Sequence, residues 1–523
     1  MTNKPMSKKL QIWAMIFNLL QIVALIFFEV VLYRIVSYKN YLVLEYLPMK
    51  YIIFGEIILL VLVIAPFVIK WGNKRTIISM VYSIILTILL LAVSIAALVN
   101  DSKIKNMILK ADSTIDKVVE NSGLSTDEYG VYVLKTDTAE KIEDAADYTF
   151  GCRAAHSADD IQTVISTIGD KLGKDIEISE TDDPVKLATN LLNGDVKAII
   201  LNKSLLELIV TAGDDTDDDK ANGEFADFTD KVKCIFTINI KNELAKRKDT
   251  GDVTKECFNL YISGIDTEGD VTTRSRSDVN IIMSINPITH QILLVSTPRD
   301  YYVPLSISGG VKDKLTHAGN YGVDVSMDTL EMLYGIEIDY FVRMNFTGFV
   351  KIIDALGGID VESDYSFSTH GYSYSEGLNK NLSGIQALWF ARERKAFAEG
   401  DKQRGKDQMK VIEAVIKKCQ STALLNNYDS ILNNISESFQ TNMKKENIKK
   451  LVKFQLNTSP DWNVITYSVS GQGTKDYTYS VPSARAYVMV PDQTTVDQAK
   501  KLFEANKNNK NVEELTSEKE SAD

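Results

Sequence analysis

The chain has 523 residues, 45 % of them hydrophobic, with ten prolines and a formal charge of −12 from 58 Lys+Arg against 70 Asp+Glu. At roughly 100 to 200 residues per domain the length predicts two or three units, and the apolar fraction excludes a mostly disordered chain. The acidic balance argues against a nucleic-acid binder, which needs a net basic surface for phosphate; a local basic site remains compatible with it.

Three long apolar runs fill the first 100 residues: Leu10 to Tyr33, Tyr51 to Ile69 and Thr76 to Val99, of 24, 19 and 24 residues. Only Glu29 and Glu56 interrupt them. About 20 residues cross a bilayer core, so three transmembrane helices are expected. Lys4, Lys8 and Lys9 precede the first run, and Lys70, Lys74 and Arg75 separate the last two, which marks both flanks as cytoplasmic. The 34–50 loop is then the outer one, and an odd number of spans places everything after residue 100 outside the cell. A cleaved signal peptide fits poorly, because the first run is too long and no small-residue cleavage site follows it.

From Asp101 to Glu120 the apolar residues have helical spacing, as in a stalk leaving the membrane. A small α/β accessory domain is expected next, through about residue 250. Its strands are Tyr129 to Leu134, Tyr148 to Ala155, Ile176 to Ser179 and Val196 to Leu201, with helices at Ser157 to Leu172 and Pro184 to Leu192. The acidic run Gly213 to Lys220 lacks the closing Glu of a calcium loop and reads as a solvated loop before a strand at Val232 to Asn239.

A larger α/β unit, residues 251–505, follows. Strands are predicted at Phe258 to Ser263, Val279 to Ile285, Ile292 to Thr297, Tyr340 to Met344, Ile359 to Val361, Trp462 to Val469 and Arg485 to Val490. Helices are predicted at Ser326 to Tyr334, Phe346 to Leu356 and Thr495 to Glu504, with Gly357-Gly358 as a stop and Ser383 with Gln386 as a capping box. The polar stretch from Asn506 to Asp523 reads as a mobile tail. Cys152, Cys234, Cys257 and Cys419 match no zinc or disulfide framework, and the four histidines are too scattered for a metal cluster.

Arginine is the informative residue. The chain has 12 Arg against 46 Lys, yet seven of the twelve fall between 274 and 404: Arg274, Arg276, Arg299, Arg343, Arg392, Arg394 and Arg404. Arg is favoured where a planar, bidentate grip on phosphate or carboxylate matters, and several of these lie at predicted strand or helix ends. For Arg274 a surface salt bridge is an equal alternative. Asp266 and Asp278 bracket the first two arginines, a set that suits Mg²⁺ with substrate phosphate, or else structural Asp–Arg pairs. Arg404 and Gln408 share one face of a helix.

The segments YISGIDTEGDVTTRSRSDVNIIMSINP, LLVSTPRDYYVP, KDKLTHAGNYGVD, YFVRMNFTGFVKIIDALGGIDV and LSGIQALWFARERKAFAEGDKQRGKDQMKVI resemble, in order and spacing, the LytR-CpsA-Psr family, especially its streptococcal capsule-biosynthesis branch. The resemblance implies an α/β/α-layered catalytic domain with a mixed central sheet. It implies a phosphotransferase that moves a glycopolymer from undecaprenyl diphosphate to peptidoglycan. Asp266 and Asp278 then correspond to the acidic residues at a Mg²⁺ ion, and Arg276, Arg299, Arg392, Arg394, Arg404 and Gln408 to the pyrophosphate-binding set; the role of Arg343 is less secure. Expected partners are the polyprenyl carrier, peptidoglycan, the membrane and other capsule-assembly proteins, with no nucleic acid. Two competing readings are a non-catalytic receptor or scaffold for lipid-linked polysaccharide, and a transcriptional regulator, which the outer topology disfavours.

Overall fold

The computed structural model describes residues 8–38, 49–68, 73–120, 123–153, 158–213, 223–244, 247, 251–265, 270–420, 430–431, 434 and 439–520. The described chain divides into two compact units, one of residues 1–116 with 445–460, the other of 117–444 with 461–523.

The first unit is helical: α1 (Lys8–Val36), α2 (Met49–Val68) and the 48-residue α3 (Asn73–Glu120), which carries the expected third span and stalk as one unbroken helix. Its construction is the reverse of a soluble bundle. Large apolar side chains such as Ile12, Leu19, Ile57 and Ile88 are exposed, while Asn18, Gln21, Ser79 and Ser83 are buried. These polar groups join the helices. Gln21 Nε2 donates to the Val63 carbonyl at 3.1 Å, Ser79 Oγ to the Pro66 carbonyl at 2.9 Å, and Ser83 Oγ to Asn18 Oδ1 at 2.8 Å. Interhelical hydrogen bonds inside and an apolar exterior are the arrangement for a lipid solvent. Among the described residues, however, two helices are long and apolar enough to cross a membrane, α1 and the Thr76–Glu120 part of α3, not the three expected; the apolar run of α2, Ile52–Phe67, is shorter.

In the second unit the accessory domain forms a five-stranded sheet from β1 (Leu124–Leu134), β2 (Thr149–Cys152), β3 (Glu177–Glu180), β4 (Ala198–Asn202) and β5 (Val232–Glu243), in the order β3-β2-β4-β1-β5. Helix Ala158–Leu172 connects the parallel neighbours β2 and β3, and helix Pro184–Asn193 leads from β3 to β4 on the other side of β2. Asp183 caps the second of these by accepting from the Val185 and Lys186 amides, and Gly194, at φ 80°, ends it. Strand β1 begins five residues before the expected Tyr129, because its polar start pairs along β5. The acidic run at 214–220 lies outside the described residues.

The larger sheet has six strands: β6 (Phe258–Ile265), β7 (Ser277–Asn286), β8 (Gln291–Ser296), β9 (Tyr340–Asn345), β10 (Phe439–Thr441) and β11 (Asn463–Ser468), in the order β10-β9-β6-β7-β8-β11. It is mixed: β9–β6 and β8–β11 are parallel, while β6–β7, β7–β8 and β9–β10 are antiparallel. Alternate residues fill opposite cores. Ile282, Leu293 and Val295 pack on Met327, Leu330, Val496 and Phe503, whereas Ile281, Ile292 and Leu294 pack on Met409. The result is the α/β/α layering that the sequence resemblance implied.

Two of the expected strands lie outside this sheet. Ile359–Ser363 pairs with Gly377–Leu382, and Arg485–Pro491 pairs with Gly471–Tyr477. The Ser383–Gln386 capping box is present, and Gly357 and Gly358 end their helix at φ 77° and 81°. The expected mobile tail is a correction. Asn506 is buried and donates to the Ser284 carbonyl at 3.0 Å, Val512 enters the main core, and Val512–Glu520 is helical. Val512 and Leu515 supply its apolar contacts, and hydrogen bonds at Asn506, Lys510 and Val512 add to them.

Candidate active site

The site gathers where β6 ends, β7 begins and β8 ends. Asp278, the second residue of β7, is its centre. Arg276 Nε lies 3.5 Å from Asp278 Oδ1, Arg299 Nη1 lies 3.3 Å from Oδ2, and Thr316 Oγ1 donates to Oδ1 at 3.2 Å. Arg299 also approaches Asp300 at 3.5 Å, and Lys314 holds Asp300 at 3.0 Å. Burial would raise both carboxyls. The Arg276, Arg299 and Arg404 charges at Asp278, and Lys314, Arg299 and Arg404 at Asp300, outweigh it and hold both well below the usual carboxylate range.

Two close backbone approaches bring the pieces together. The short helix Leu315–Tyr321, which carries Thr316, packs on the segment bearing Arg276 at Gly319; a Cβ there would lie 2.5 Å from the Ser275 carbonyl oxygen. Helix Asp401–Gln420, which carries Arg404 and Gln408, packs on the end of β8 at Gly405, where a Cβ would lie 2.7 Å from Ser296 Oγ. At Gly319 the neighbours are backbone atoms and only glycine permits the contact, whereas at Gly405 a Cβ would force the Ser296 hydroxyl to turn aside. Arg404 is buried and paired with Asp401. Asp278, Arg299, Arg404, Gly405 and Gln408 then line one narrow cleft.

Behind the cleft lies a buried polar layer. Tyr261 Oη donates to Asn280 Oδ1 at 2.6 Å, and Ser263 and Ser277 share a hydrogen bond of 2.8 Å. Arg343, almost fully buried, donates to the Thr273 carbonyl and so braces the loop that leads to Arg276; burial pushes its guanidinium down to about 10.

The structure therefore brings together Arg276, Asp278, Arg299, Arg404 and Gln408 of the residues expected from sequence. Arg392 lies instead over the Phe346 and Trp389 rings, at 4.1 and 5.2 Å from their centroids, and Arg394 is buried at the same helix exit. Gln408 Nε2 donates to the Ala391 carbonyl at 3.3 Å and ties that exit to the cleft wall. Asp266 lies outside the described residues. Arg274 is resolved as a structural pair, 3.0 Å from the buried Asp127. Sequence reasoning missed Asp300, Lys314, Thr316 and Asp401. It also missed Glu207 of the accessory domain, whose carboxylate reaches Arg276 at 2.5 Å. Asp300 was signalled by its place after Arg299; Glu207 had no local signal.

Among the described residues no three His, Cys, Asp or Glu side chains converge as a metal cage. Asp278 alone still suits Mg²⁺, which uses one or two carboxylates with substrate phosphate. It is ionised, and its contacts are 3.2 Å or longer.

The LytR_cpsA_psr family model matches residues 227–502. A polyisoprenyl-teichoic acid–peptidoglycan teichoic acid transferase of Halalkalibacterium halodurans is 32 % identical over 232 residues, 44 % of this chain and 75 % of that protein. A protein of the same name from Enterococcus faecalis is 36 % identical over 40 % of this chain and 69 % of its own length. The crystal structure of B. subtilis TagV, 26 % identical, aligns with 49 % of this chain and 98 % of that one at a TM-score of 0.40. On the family match and the identity to these relatives, the chain belongs to the LytR_cpsA_psr family.

Proposed function

We propose that this protein is a cell-wall glycopolymer transferase that moves a polymer, capsular polysaccharide being the favoured one, from polyprenyl diphosphate to a hydroxyl of peptidoglycan. The observation that carries the reading is the network around Asp278: Arg276, Arg299, Arg404 and Lys314 interleaved with Glu207, Asp278, Asp300 and Asp401 at the mouth of a cleft. Guanidinium groups already ionised, positioned and partly desolvated are what a diphosphate leaving group needs. The names of the two relatives support the polymer class and the acceptor.

In this reading the acceptor hydroxyl oxygen attacks the phosphorus nearer the glycan and gives up its proton to water. The bond from that phosphorus to the bridging oxygen breaks, and polyprenyl monophosphate leaves with the negative charge. Arg276, Arg299 and Arg404 bind the diphosphate and stabilise the charge that develops on the leaving oxygen, while Asp278 keeps the first two in register. Arg392, Arg394 and Gln408 form the adjoining wall. The four cations and four carboxylates balance, so a diphosphate adds uncompensated negative charge. Mg²⁺, held by Asp278 and, on the family resemblance, Asp266, would neutralise it.

Arg299→Ala in the detergent-solubilised full chain is expected to lower release of polyprenyl monophosphate from a lipid-linked donor by at least a thousandfold; unchanged turnover contradicts the reading. The reaction also requires residues beyond 120 on the outer face. Cys234 is exposed, so a membrane-impermeant maleimide added to intact protoplasts should label it. Labelling only after lysis would place it inside.

A further inference from the structure

Residues 123–226 precede the stretch matched by the family model, yet their sheet is joined to the larger one. The Thr126 amide donates to the Thr272 carbonyl at 2.9 Å, the Arg274 amide to the Thr126 carbonyl at 3.0 Å, and the Thr126 and Thr272 hydroxyls meet at 2.8 Å. A second cleft opens beside this seam and encloses about 230 Å³, a little under the roughly 300 to 1,000 Å³ of sites for drug-sized ligands. Arg153, Ser204 and Leu205 line it from the accessory domain; Arg274, Ile307 and Tyr321 line it from the larger domain.

The position of this cleft follows from the two segments that wall it. Two residues after Leu205 comes Glu207, and two residues after Arg274 comes Arg276, and these two side chains form the 2.5 Å ion pair. The cleft therefore abuts the arginine network. Its lining mixes guanidinium, hydroxyl and phenol groups with aliphatic and aromatic surface. Sugar rings need both, donors for their hydroxyls and an apolar face for their C–H groups. The glycan of a lipid-linked donor is bonded to the diphosphate, so its first saccharides must lie within a few bonds of Arg276.

We propose that this interdomain cleft binds the diphosphate-proximal saccharides of the lipid-linked polymer, and that the accessory domain thereby selects which polymer is transferred. The proposal rests on the reading of the arginine network as a diphosphate site. Two obstructing variants test it, one from each wall: Ser204→Trp and Ile307→Trp. Binding to the solubilised full chain is measured for undecaprenyl-diphosphate-linked polysaccharide and for bare undecaprenyl diphosphate. Each variant that keeps the wild-type circular dichroism spectrum is expected to bind the glycan-bearing donor at least tenfold more weakly and the bare lipid within twofold of wild type. Unchanged affinity for the glycan-bearing donor, or an equal loss for both ligands, overturns the proposal. Wild-type protein that fails to bind bare undecaprenyl diphosphate overturns instead the diphosphate reading beneath it.

Discussion

Asp127 and Asp278 are both aspartates facing arginine in the same compact unit, and they are built in opposite ways. Asp127 is fully buried and satisfied: Arg274 lies at 3.0 Å, Asn202 donates to Oδ1 at 2.7 Å and Asn242 to Oδ2 at 3.0 Å. Burial raises its carboxyl despite these partners. Asp278 keeps about 18 % of its side chain exposed, shares two arginines at longer range, and is held ionised. A closed arrangement with short contacts and one partner charge fastens two domains together. An open one with shared guanidinium groups keeps donors available for a ligand.

The difference has consequences for stability. Asp127→Ala strands Arg274 at the seam between the two sheets and should cost about 3 kcal/mol of unfolding free energy, measured by denaturant titration. Affinity for bare undecaprenyl diphosphate per folded molecule should be unchanged. A loss of affinity would make Asp127 part of the site and erase the contrast.

A third aspartate sharpens the contrast from the other side. Asp407 is buried on the helix that carries Arg404, with Gln403 Nε2 donating to it at 3.0 Å, and burial pushes its carboxyl up to about 7. Its folded value lies above the unfolded one, so the folded state binds the extra proton between about pH 4 and 7 and stability falls as pH rises through that window. Asp407→Asn should remove this slope and raise stability at pH 8 by on the order of 2 kcal/mol, read as an upward shift in Tm. An unchanged pH profile would mean that Asp407 is ionised in the fold.

Much of this was legible in the sequence because it rests on local pattern. The β-rich runs at Val279 and Ile292 became two central strands, and the excess of arginine over a 130-residue window marked the site. Residue type could not separate roles that depend on tertiary contact. Arg274 and Arg343 share the chemistry of Arg276 but brace a seam and a loop. Glu207 sits 69 positions from the arginine it meets, with no motif around it. The C-terminal stretch misled by its composition, since among its described residues two apolar side chains, Val512 and Leu515, and the buried Asn506 hold it. The helical region misled at its middle run, since the apolar part of Met49–Val68 is only Ile52–Phe67.

On the proposed reading the arginines around Asp278 bind diphosphate and Arg274, beside Asp127, does not. Calorimetric titration of bare undecaprenyl diphosphate into the solubilised full chain, comparing Arg404→Ala with Arg274→Ala in the presence and absence of Mg²⁺, separates the two. Arg404→Ala should weaken binding at least a hundredfold, about 2.7 kcal/mol, while Arg274→Ala stays within threefold of wild type. Equal affinities for the two variants would contradict the account.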